Sequence, residues 1–441
     1  MLPIKTVVSF IKNNFQHYKQ LDVNYDNICC FKKIGEDIRP LNHFVRFNTS
    51  YDVPSINLAD KTIFPPFSLP LVSVIVVNYN YGRFLREAVD SVFAQTYPNI
   101  ECIVVDNAST DESADVLQDI ATQYPGAKIM RRKENGGQSL ALMEGFAASS
   151  GEYAVFLDAD DYLLATFVET HVFVHLSLRI PVGFSSSDMI QAVDSRMVLG
   201  TYGPVSEFVR SGRGKSPGLL RRMDESAPGV WPLPSPGVSI ETQVHLVEPR
   251  YAGDWMWAPT SGNCFRRDAL RLFLNNEDLA ALRHCTDAYL LRGINVVTGS
   301  VVIDRRLAVY RLHGTNAFSK NLHLNGVLNY DRNSPSDHNQ LGHKLIMDHL
   351  IANARLFLGK MPSRWHYVDA LQALNDSWPQ LPSTVPGCRS YLAGRVVTEA
   401  GALAPALGYR EFIVLLERLN VAPNVLLKAR LWLNRNKERR S

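Results

Sequence analysis

The sequence of 441 residues lacks several features that would have decided its class at once. It contains no run of about 18 apolar residues, the length that a membrane-spanning helix needs. Its six cysteines are dispersed without metal-ligand spacing, which argues against a disulfide framework or a cysteine zinc site and favours a reducing compartment. Neither Gly-x-Gly-x-x-Gly nor Gly-x-x-x-x-Gly-Lys-Ser/Thr occurs, so the dinucleotide-binding and ATPase fingerprints are absent.

A strong excess of one charge is also missing. The net charge is +3, from 46 basic and 43 acidic side chains, and a nucleic-acid-binding protein should be more basic than this. The charge is uneven, because six basic residues and one acid follow from Lys428, which leaves the preceding part slightly acidic. Apolar residues such as Leu427, Leu431 and Trp432 are mixed into this tail. Two interpretations stay open: a helix attracted to anionic lipid, or an ordinary solvated helix end.

The chain divides by pattern into three segments. Residues 1–70 form an N-terminal extension or strap that ends in a proline-punctuated run. Residues 71–330 begin with short apolar strands alternating with helical stripes, which predicts a mostly parallel sheet between helices, an α/β fold. Within them, 195–262 reads as irregular, and strands are expected again at 296–302 and 307–310. Residues 331–441 read as a helical region that ends in the basic tail.

Polar side chains follow three of the predicted strands where each strand ends. In parallel sheets ligands gather at these carboxyl ends, so the three groups should meet around one site. Adjacent carboxylates raise each other's pKa unless a cation lies between them, and such oxygen-rich sites suit Mg²⁺ or Mn²⁺. Each group also has a structural interpretation, as a helix cap or a turn. The groups are Asn78-Tyr79-Asn80, Asp106-Asn107, and Asp158 with Asp160 and Asp161. Asn135-Gly136-Gly137 adds a loop that permits close backbone approach before a helix N-terminus.

The same residues carry a resemblance to a known family. In order and spacing they are similar to the inverting nucleotide-sugar glycosyltransferases of family 2, which have the GT-A fold. The resemblance is strongest over about residues 70–185 and excludes both ends of the chain. Its first motifs are Val72–Asn80 (VSVIVVNYN), Gln95–Pro98 (QTYP), Val104–Asp111 (VVDNASTD) and Leu157–Asp161 (LDADD). It resumes at Thr260–Arg267 (TSGNCFRR), Thr286–Arg292 (TDAYLLR) and Tyr310–Asn316 (YRLHGTN).

The resemblance implies a role for each matching residue. Asp158 and Asp160 correspond to the DxD pair that holds Mg²⁺ or Mn²⁺ on the donor diphosphate, and His313 to a position that reaches the diphosphate or metal. Asp287 corresponds to the catalytic base. The nucleotide would be bound by Asn78, Tyr79, Asn80, Asp106, Asn107, Asn135 and Asp158.

Two positions depart from the family pattern. Thr286 stands where many relatives have an acid, which leaves one candidate base. In the third helix, Leu142 and Met143 replace the polar pair of many relatives, so the resemblance does not fix the base or sugar of the donor.

Trp255, Trp257 and Asn263 are candidates for binding the acceptor. The aromatic faces of the two tryptophans could stack on sugar rings, although tryptophan is also a common core residue.

Together these features predict an inverting, metal-dependent glycosyltransferase. We expect a UDP-, GDP- or dTDP-linked sugar donor, a glycan or lipid-linked acceptor, and a role in surface polysaccharide or glycoconjugate biosynthesis. The expected location is the cytoplasm or the inner face of the membrane, which the basic tail would contact. Two alternatives remain open at this point: a nucleotidyltransferase, and a non-catalytic glycosyltransferase-like scaffold or glycan-binding protein.

Overall fold

The computed structural model describes residues 31–34, 37–40, 69–193, 196–215, 217–221, 240–251, 253–314, 316 and 336–438. For 31–40, 336–339 and 433–438 this covers the backbone alone. The predicted strap at the end of the N-terminal extension and the charged side chains beyond Trp432 therefore lie outside the described residues, apart from Leu69 and Pro70.

By its contacts the chain divides into two compact units, Met1–Phe67 and Ser68–Ser441. In the first unit, strand β1 (Phe31–Ile34) pairs antiparallel with β2 (Asp37–Pro40).

The second unit begins with the alternation that the sequence predicts. Its elements are β3 (Val72–Asn78), α1 (Gly82–Phe93), β4 (Ile100–Asp106), α2 (Ser113–Gln123), β5 (Lys128–Arg131), α3 (Gln138–Ala147) and β6 (Tyr153–Asp158). Strand β3 is buried along its whole length and lies between β4 and β6, parallel to both. Its apolar run therefore matches a central strand covered on both faces. Helix α3 approaches the sheet closely at Gly145, where a Cβ would stand 2.5 Å from Cγ2 of Ile75.

The sheet then becomes mixed. The next elements are β7 (Tyr162–Leu163), α4 (Phe167–Ser177), β8 (Phe184–Val193), β9 (Arg196–Leu199), α5 (Pro204–Ser211), α6 (Ile240–Gln243), β10 (Val244–Val247), β11 (Asn263–Arg266), α7 (Arg267–Leu274), α8 (Thr286–Thr298) and β12 (Ser300–Arg311). The strand order is β10-β12-β8-β11-β6-β3-β4-β5, with β7 paired to β12 and β9 to β8. Strand β11 is antiparallel to both β6 and β8, so it joins the parallel half to the rest.

Two expectations about this part of the chain were wrong. The 195–262 segment contains regular elements, namely β9, α5, α6 and β10. Of the strand expected at 296–302, residues 296–298 are the end of helix α8 and residues 300–302 begin one long strand, β12, that covers 300–311. Gly299, at φ +71°, separates the helix from the strand. Apolar runs this short do not distinguish a buried strand from a buried helix end.

The C-terminal region is helical, as predicted. It contains α9 (Ser336–Ala352), α10 (Ala354–Leu358), α11 (Arg364–Ser377), α12 (Tyr391–Thr398), α13 (Ala400–Leu407), α14 (Tyr409–Arg418) and α15 (Pro423–Glu438). Buried side chains of α9 and α11, such as Leu350 and Leu371, share one apolar core with Leu290 and Leu291 of α8. No helix within the described ranges is long and apolar enough to cross a membrane.

Candidate active site

A cleft of about 310 Å³ opens at the carboxyl ends of β3, β4 and β6. The predicted residues that line it are Tyr79, Asn107, Asn135, Asp158, Asp160, Trp255 and Asp287. Three parallel strands end at this edge, so residues far apart in sequence reach the same space. A larger cavity of about 660 Å³ lies between α11 and residues 250, 251, 253 and 254, and it is lined by none of these predicted residues.

Asp158, at the end of β6, lies close enough to two other carboxylates of the cleft to be affected by their charges. Its Oδ1 accepts a hydrogen bond from Nε2 of Gln138, 3.1 Å away. Burial, followed by repulsion from Asp160 and Asp287, raises the pKa of Asp158 to about 7. A positive ion in the cleft would relieve that repulsion.

Asp161 has a structural function. Its Oδ2 accepts from Oγ of Ser261 at 2.7 Å, and its Oδ1 accepts from the backbone N–H of Arg311 at 3.1 Å. Ser261 Oγ also accepts from the backbone N–H of Asp158, so Asp161 ties the strand end to the loop beneath it. Burial and the charge of Asp160 hold the pKa of Asp161 well above its ordinary value.

His313 contacts Asp160 although it comes from the loop after β12. Its Nε2 is 2.9 Å from Oδ2 of Asp160, and its ring packs against Tyr81 and Phe84, with centroids 5.2 and 4.9 Å away. The imidazole is thereby fixed beside the carboxylate.

The donor set fits Mg²⁺ or Mn²⁺ better than a structural metal. Across the described ranges, no three His, Cys, Asp or Glu side chains form a ready-made cage. Magnesium-type ions usually take one or two carboxylates and complete their shell with water and substrate phosphate, and Asp158 and Asp160 supply such a pair.

The loops after β3 and β4 are held together by an internal polar network. Nδ2 of Asn78 donates to Asp106, Ser109 and Ser113, at 2.8, 3.1 and 2.9 Å. Asn80, at φ +58°, accepts from the backbone N–H of Thr110 at 2.8 Å.

Three of the residues predicted to bind the nucleotide, Asn78, Asn80 and Asp106, have hydrogen-bond partners within this network. Asn78 and Asp106 are buried, and neither they nor Asn80 line the cleft. They shape the loops that carry Tyr79 and Asn107, which do reach it.

A second loop contact forms around Asn107. Its Nδ2 donates to Oδ1 of Asn135 at 3.0 Å and its Oδ1 accepts from the backbone N–H of Gly136 at 3.1 Å. Gly137, at φ +84°, lies so close to Arg283 that a Cβ would be 2.8 Å from its backbone. The loop before α8 therefore closes on the loop before α3.

Asp287 lies in the first turn of α8, and its Oδ1 accepts from the backbone N–H of Ala288 at 2.8 Å. Burial raises the pKa of this carboxyl above its ordinary value. Its charge also reaches Asp158, since it contributes to the raised pKa there. The candidate base and the candidate metal ligands thus share one cleft.

The acceptor candidates separate into two groups. Trp255 lines the cleft, whereas Trp257 is fully buried and donates from Nε1 to Oγ of Ser300 at 3.0 Å. Asn263 is also fully buried, and its Nδ2 donates to carbonyls of its own loop, including that of Pro259 at 2.8 Å. Trp257 and Asn263 are therefore held by contacts inside the protein, and of the three acceptor candidates Trp255 alone lines the cleft.

Several cleft residues were missed by the sequence analysis: Gln138, Tyr202, Arg283, His284 and Tyr310. Gln138 had a usable signal, because it follows two glycines at the start of a helix. Tyr202 had none, because it lies in the segment that reads as irregular. Its ring meets Tyr310 edge-on, with centroids 5.5 Å apart. Leu142 is buried beneath the sheet, so the polar contribution of α3 to the cleft comes from Gln138.

Comparison with known proteins supplies the class. Residues 73–175 match the family model of Glycosyl transferase family 2. This segment, which spans β3 to most of α4, is similar to glycosyltransferase family 2, and the mostly parallel sheet between helices is the α/β arrangement that the sequence predicts.

The relatives include an uncharacterized glycosyltransferase of Nostoc sp., 29% identical over 56% of this chain and 66% of that protein. Glycosyltransferase GlyG of Streptococcus pneumoniae is 36% identical over 30% of this chain and 39% of its own. The matched parts thus cover less than two thirds of either relative.

Among solved structures, S. aureus TarS in complex with UDP-GlcNAc is 15% identical, with a TM-score of 0.42 over 79% of this chain and 90% of TarS. Mannosyltransferase PcManGT from Pyrobaculum calidifontis, in complex with GDP-Man and Mn²⁺, is 17% identical, with a TM-score of 0.36 over 83% of this chain and 88% of its own. At these scores neither structure bears on the ligands of this chain.

Proposed function

We propose that this chain is an inverting, metal-assisted glycosyltransferase that moves a sugar from a UDP-, GDP- or dTDP-linked donor to a glycan or lipid-linked acceptor. The observation that carries the proposal is the convergence of Asp158, Asp160 and Asp287 on one cleft. The match of residues 73–175 to the model of Glycosyl transferase family 2 supports sugar transfer as the chemistry. A place in surface polysaccharide or glycoconjugate synthesis, in the cytoplasm or at the inner face of the membrane, belongs to the same proposal.

The donor would be bound along the strand ends. Tyr79, Asn107 and Asn135 face the part of the cleft next to the α3 N-terminus, which favours anions. Asp158, Asp160 and His313 would hold the divalent ion, which when bound neutralises charge on the departing diphosphate.

Asp287 would act as the general base. It takes the proton of the acceptor hydroxyl while that oxygen bonds to the anomeric carbon of the donor sugar. The bond from that carbon to the diphosphate oxygen breaks, and its electron pair leaves with the nucleoside diphosphate. Because attack comes from the face opposite the leaving group, the anomeric configuration inverts. Burial of Asp287 raises its pKa and so makes the carboxylate a stronger base.

A thermal-shift screen tests donor binding. UDP-, GDP- and dTDP-sugars, each with Mn²⁺ or with EDTA, are added to the wild type, to Asp160→Ala and to Asp376→Ala. Asp376 lines the larger cavity and serves as the matched control. We expect stabilisation by one nucleotide class in the wild type and the control but not in Asp160→Ala.

Product analysis separates the remaining alternatives. Release of nucleoside diphosphate supports glycosyl transfer, whereas release of pyrophosphate would identify a nucleotidyltransferase. A wild type that responds to no nucleotide sugar would favour a non-catalytic scaffold.

A further inference from the structure

Arg292 lies between two tryptophans that come from different parts of the chain. Its guanidinium carbon is 5.1 Å from the ring centroid of Trp255 and 5.6 Å from that of Trp378. Both distances are within the range of cation–π attraction. Trp255 precedes the core strand β11, and Trp378 follows helix α11 of the C-terminal region. One side chain of α8 therefore contacts both.

His343 of helix α9 completes the cluster. Its Nε2 is 3.1 Å from Nη1 of Arg292, and its ring stacks on Trp378 with centroids 3.4 Å apart and planes 19° from parallel. Burial and the neighbouring guanidinium lower the pKa of His343 to about 2. The imidazole is therefore neutral and accepts the hydrogen bond from Arg292. His343 and Trp378 are both buried, so they form a fixed seat for the guanidinium.

The opposite side of the cluster is the active-site cleft. Trp255 lines the cleft together with Asp287, and Asp287 stands on the same helix as Arg292. Trp255 is also braced from behind, because its ring meets that of Trp257 at 86° with centroids 5.9 Å apart. The cluster thus links the C-terminal helices to the wall of the cleft beside the candidate base.

We propose that Arg292 is a positioning residue: seated on Trp378 and His343, it fixes the indole of Trp255 as the platform on which the acceptor sugar stacks. This inference rests on the glycosyl transfer proposed above. It gives the C-terminal helices a role in acceptor binding. A planar guanidinium can stack on two indoles and bond to His343 at once, whereas a lysine ammonium offers a point charge and no plane.

The chain offers a matched control for this cluster. Arg410, in α14 of the same helical region, is 5.9 Å from the ring centroid of Trp365 and lines neither of the two cavities described above. Arg292→Lys and Arg410→Lys therefore make the same chemical change at a stacked arginine, once beside the cleft and once away from it.

The first measurement needs no ligand. The protein is labelled with 5-fluorotryptophan, and the ¹⁹F resonance of Trp255 is assigned by its loss in Trp255→Phe. We expect Arg292→Lys to shift or broaden this resonance and Arg410→Lys to leave it unchanged. An unchanged Trp255 resonance in a folded Arg292→Lys protein would overturn the proposal.

The second measurement separates positioning from general damage. With 4-nitrophenyl glycosides as acceptor probes, we expect Arg292→Lys to raise the acceptor KM about tenfold. Donor dissociation constant and donor hydrolysis by water should stay within about twofold of the wild type, because the cluster does not touch the donor loops. Restoring arginine by reversion should recover the acceptor KM.

Two further outcomes would count against the proposal. Donor affinity that weakens in parallel with acceptor KM would show a structural role only. A wild type that neither binds nor hydrolyses any nucleotide sugar would overturn the proposed function, and with it the platform role, even where the Trp255 resonance responds to Arg292→Lys.

Discussion

Replacing Asp158 by asparagine removes a carboxylate whose charged form is disfavoured by burial and by neighbouring negative charges. The pKa of this group rises from 3.8 in its ordinary environment to about 7, through burial and the charges of Asp160 and Asp287. Asparagine keeps an oxygen that accepts the hydrogen bond from Gln138 but carries no charge. We therefore expect Asp158→Asn to be more stable than the wild type at pH 8 while losing metal and donor binding.

The magnitude and its pH dependence follow from linkage. A group whose folded-state pKa is raised destabilises the fold as pH rises above the unfolded value, and the full penalty is reached above the folded value. For a change from 3.8 to about 7 the penalty is about 4 kcal/mol. Because Asp158 still faces the water of the cleft, we expect roughly half of it, about 2 kcal/mol. In a unit of this size, a difference of about 2 kcal/mol in the free energy of unfolding corresponds to a shift of about 2 to 3 °C in Tm.

The assay is thermal unfolding in EDTA between pH 4 and pH 8. The increase in Tm of Asp158→Asn over the wild type should be absent near pH 4 and should reach its full value by pH 8. Asp119→Asn, at a carboxylate of α2 that is 74% exposed, is the control and should show no such trend. Adding Mn²⁺ at pH 8 should raise the Tm of the wild type and leave that of Asp158→Asn unchanged.

Equal Tm values for Asp158→Asn and the wild type at pH 8, or a less stable variant there, would refute this reasoning. Either result would mean that burial and the neighbouring carboxylates do not destabilise the charged form of Asp158.

Three further predictions concern single residues. Asp287→Asn should lower kcat by about 100- to 10,000-fold with an unchanged donor dissociation constant, measured by steady-state kinetics and calorimetry. Gly137→Ala, whose Cβ would be 2.8 Å from the backbone of Arg283, should cost about 1 to 3 kcal/mol in denaturant unfolding and weaken donor binding. Trp257→Phe should lower the free energy of unfolding by about 1 to 3 kcal/mol and leave the acceptor KM unchanged. Trp255→Ala should raise the acceptor KM about tenfold.

The sequence pattern predicted those elements that depend only on residues adjacent in the chain. The run at 72–77 predicted β3 to within one residue, because a strand covered on both faces must be apolar throughout. The sequence also predicted where the carboxylates after β6 lie, because charged groups directly after a buried strand must reach solvent at the edge of the sheet.

The sequence pattern did not predict which of two neighbouring residues faces the cleft and which is buried. Trp255 and Trp257 are two positions apart, yet one lines the cleft and the other is fully buried. Asn78 ends a strand as predicted, but its amide faces Asp106 and two serines instead of the cleft. In both cases the outcome depends on which side chains of distant elements are available to pack or to hydrogen-bond.

The sequence alone determined the strand–helix order from β3 to β6, the edge of the sheet where the cleft opens, and the carboxylates that follow β6, because each follows from residues adjacent in the chain. Only the tertiary structure decided which polar residues face the cleft and that the guanidinium of Arg292 packs on Trp378 and bonds to His343. Those contacts join α8, α9 and the end of α11, and no local preference encodes a meeting between such distant segments. Packing of the C-terminal helices against the core selects it.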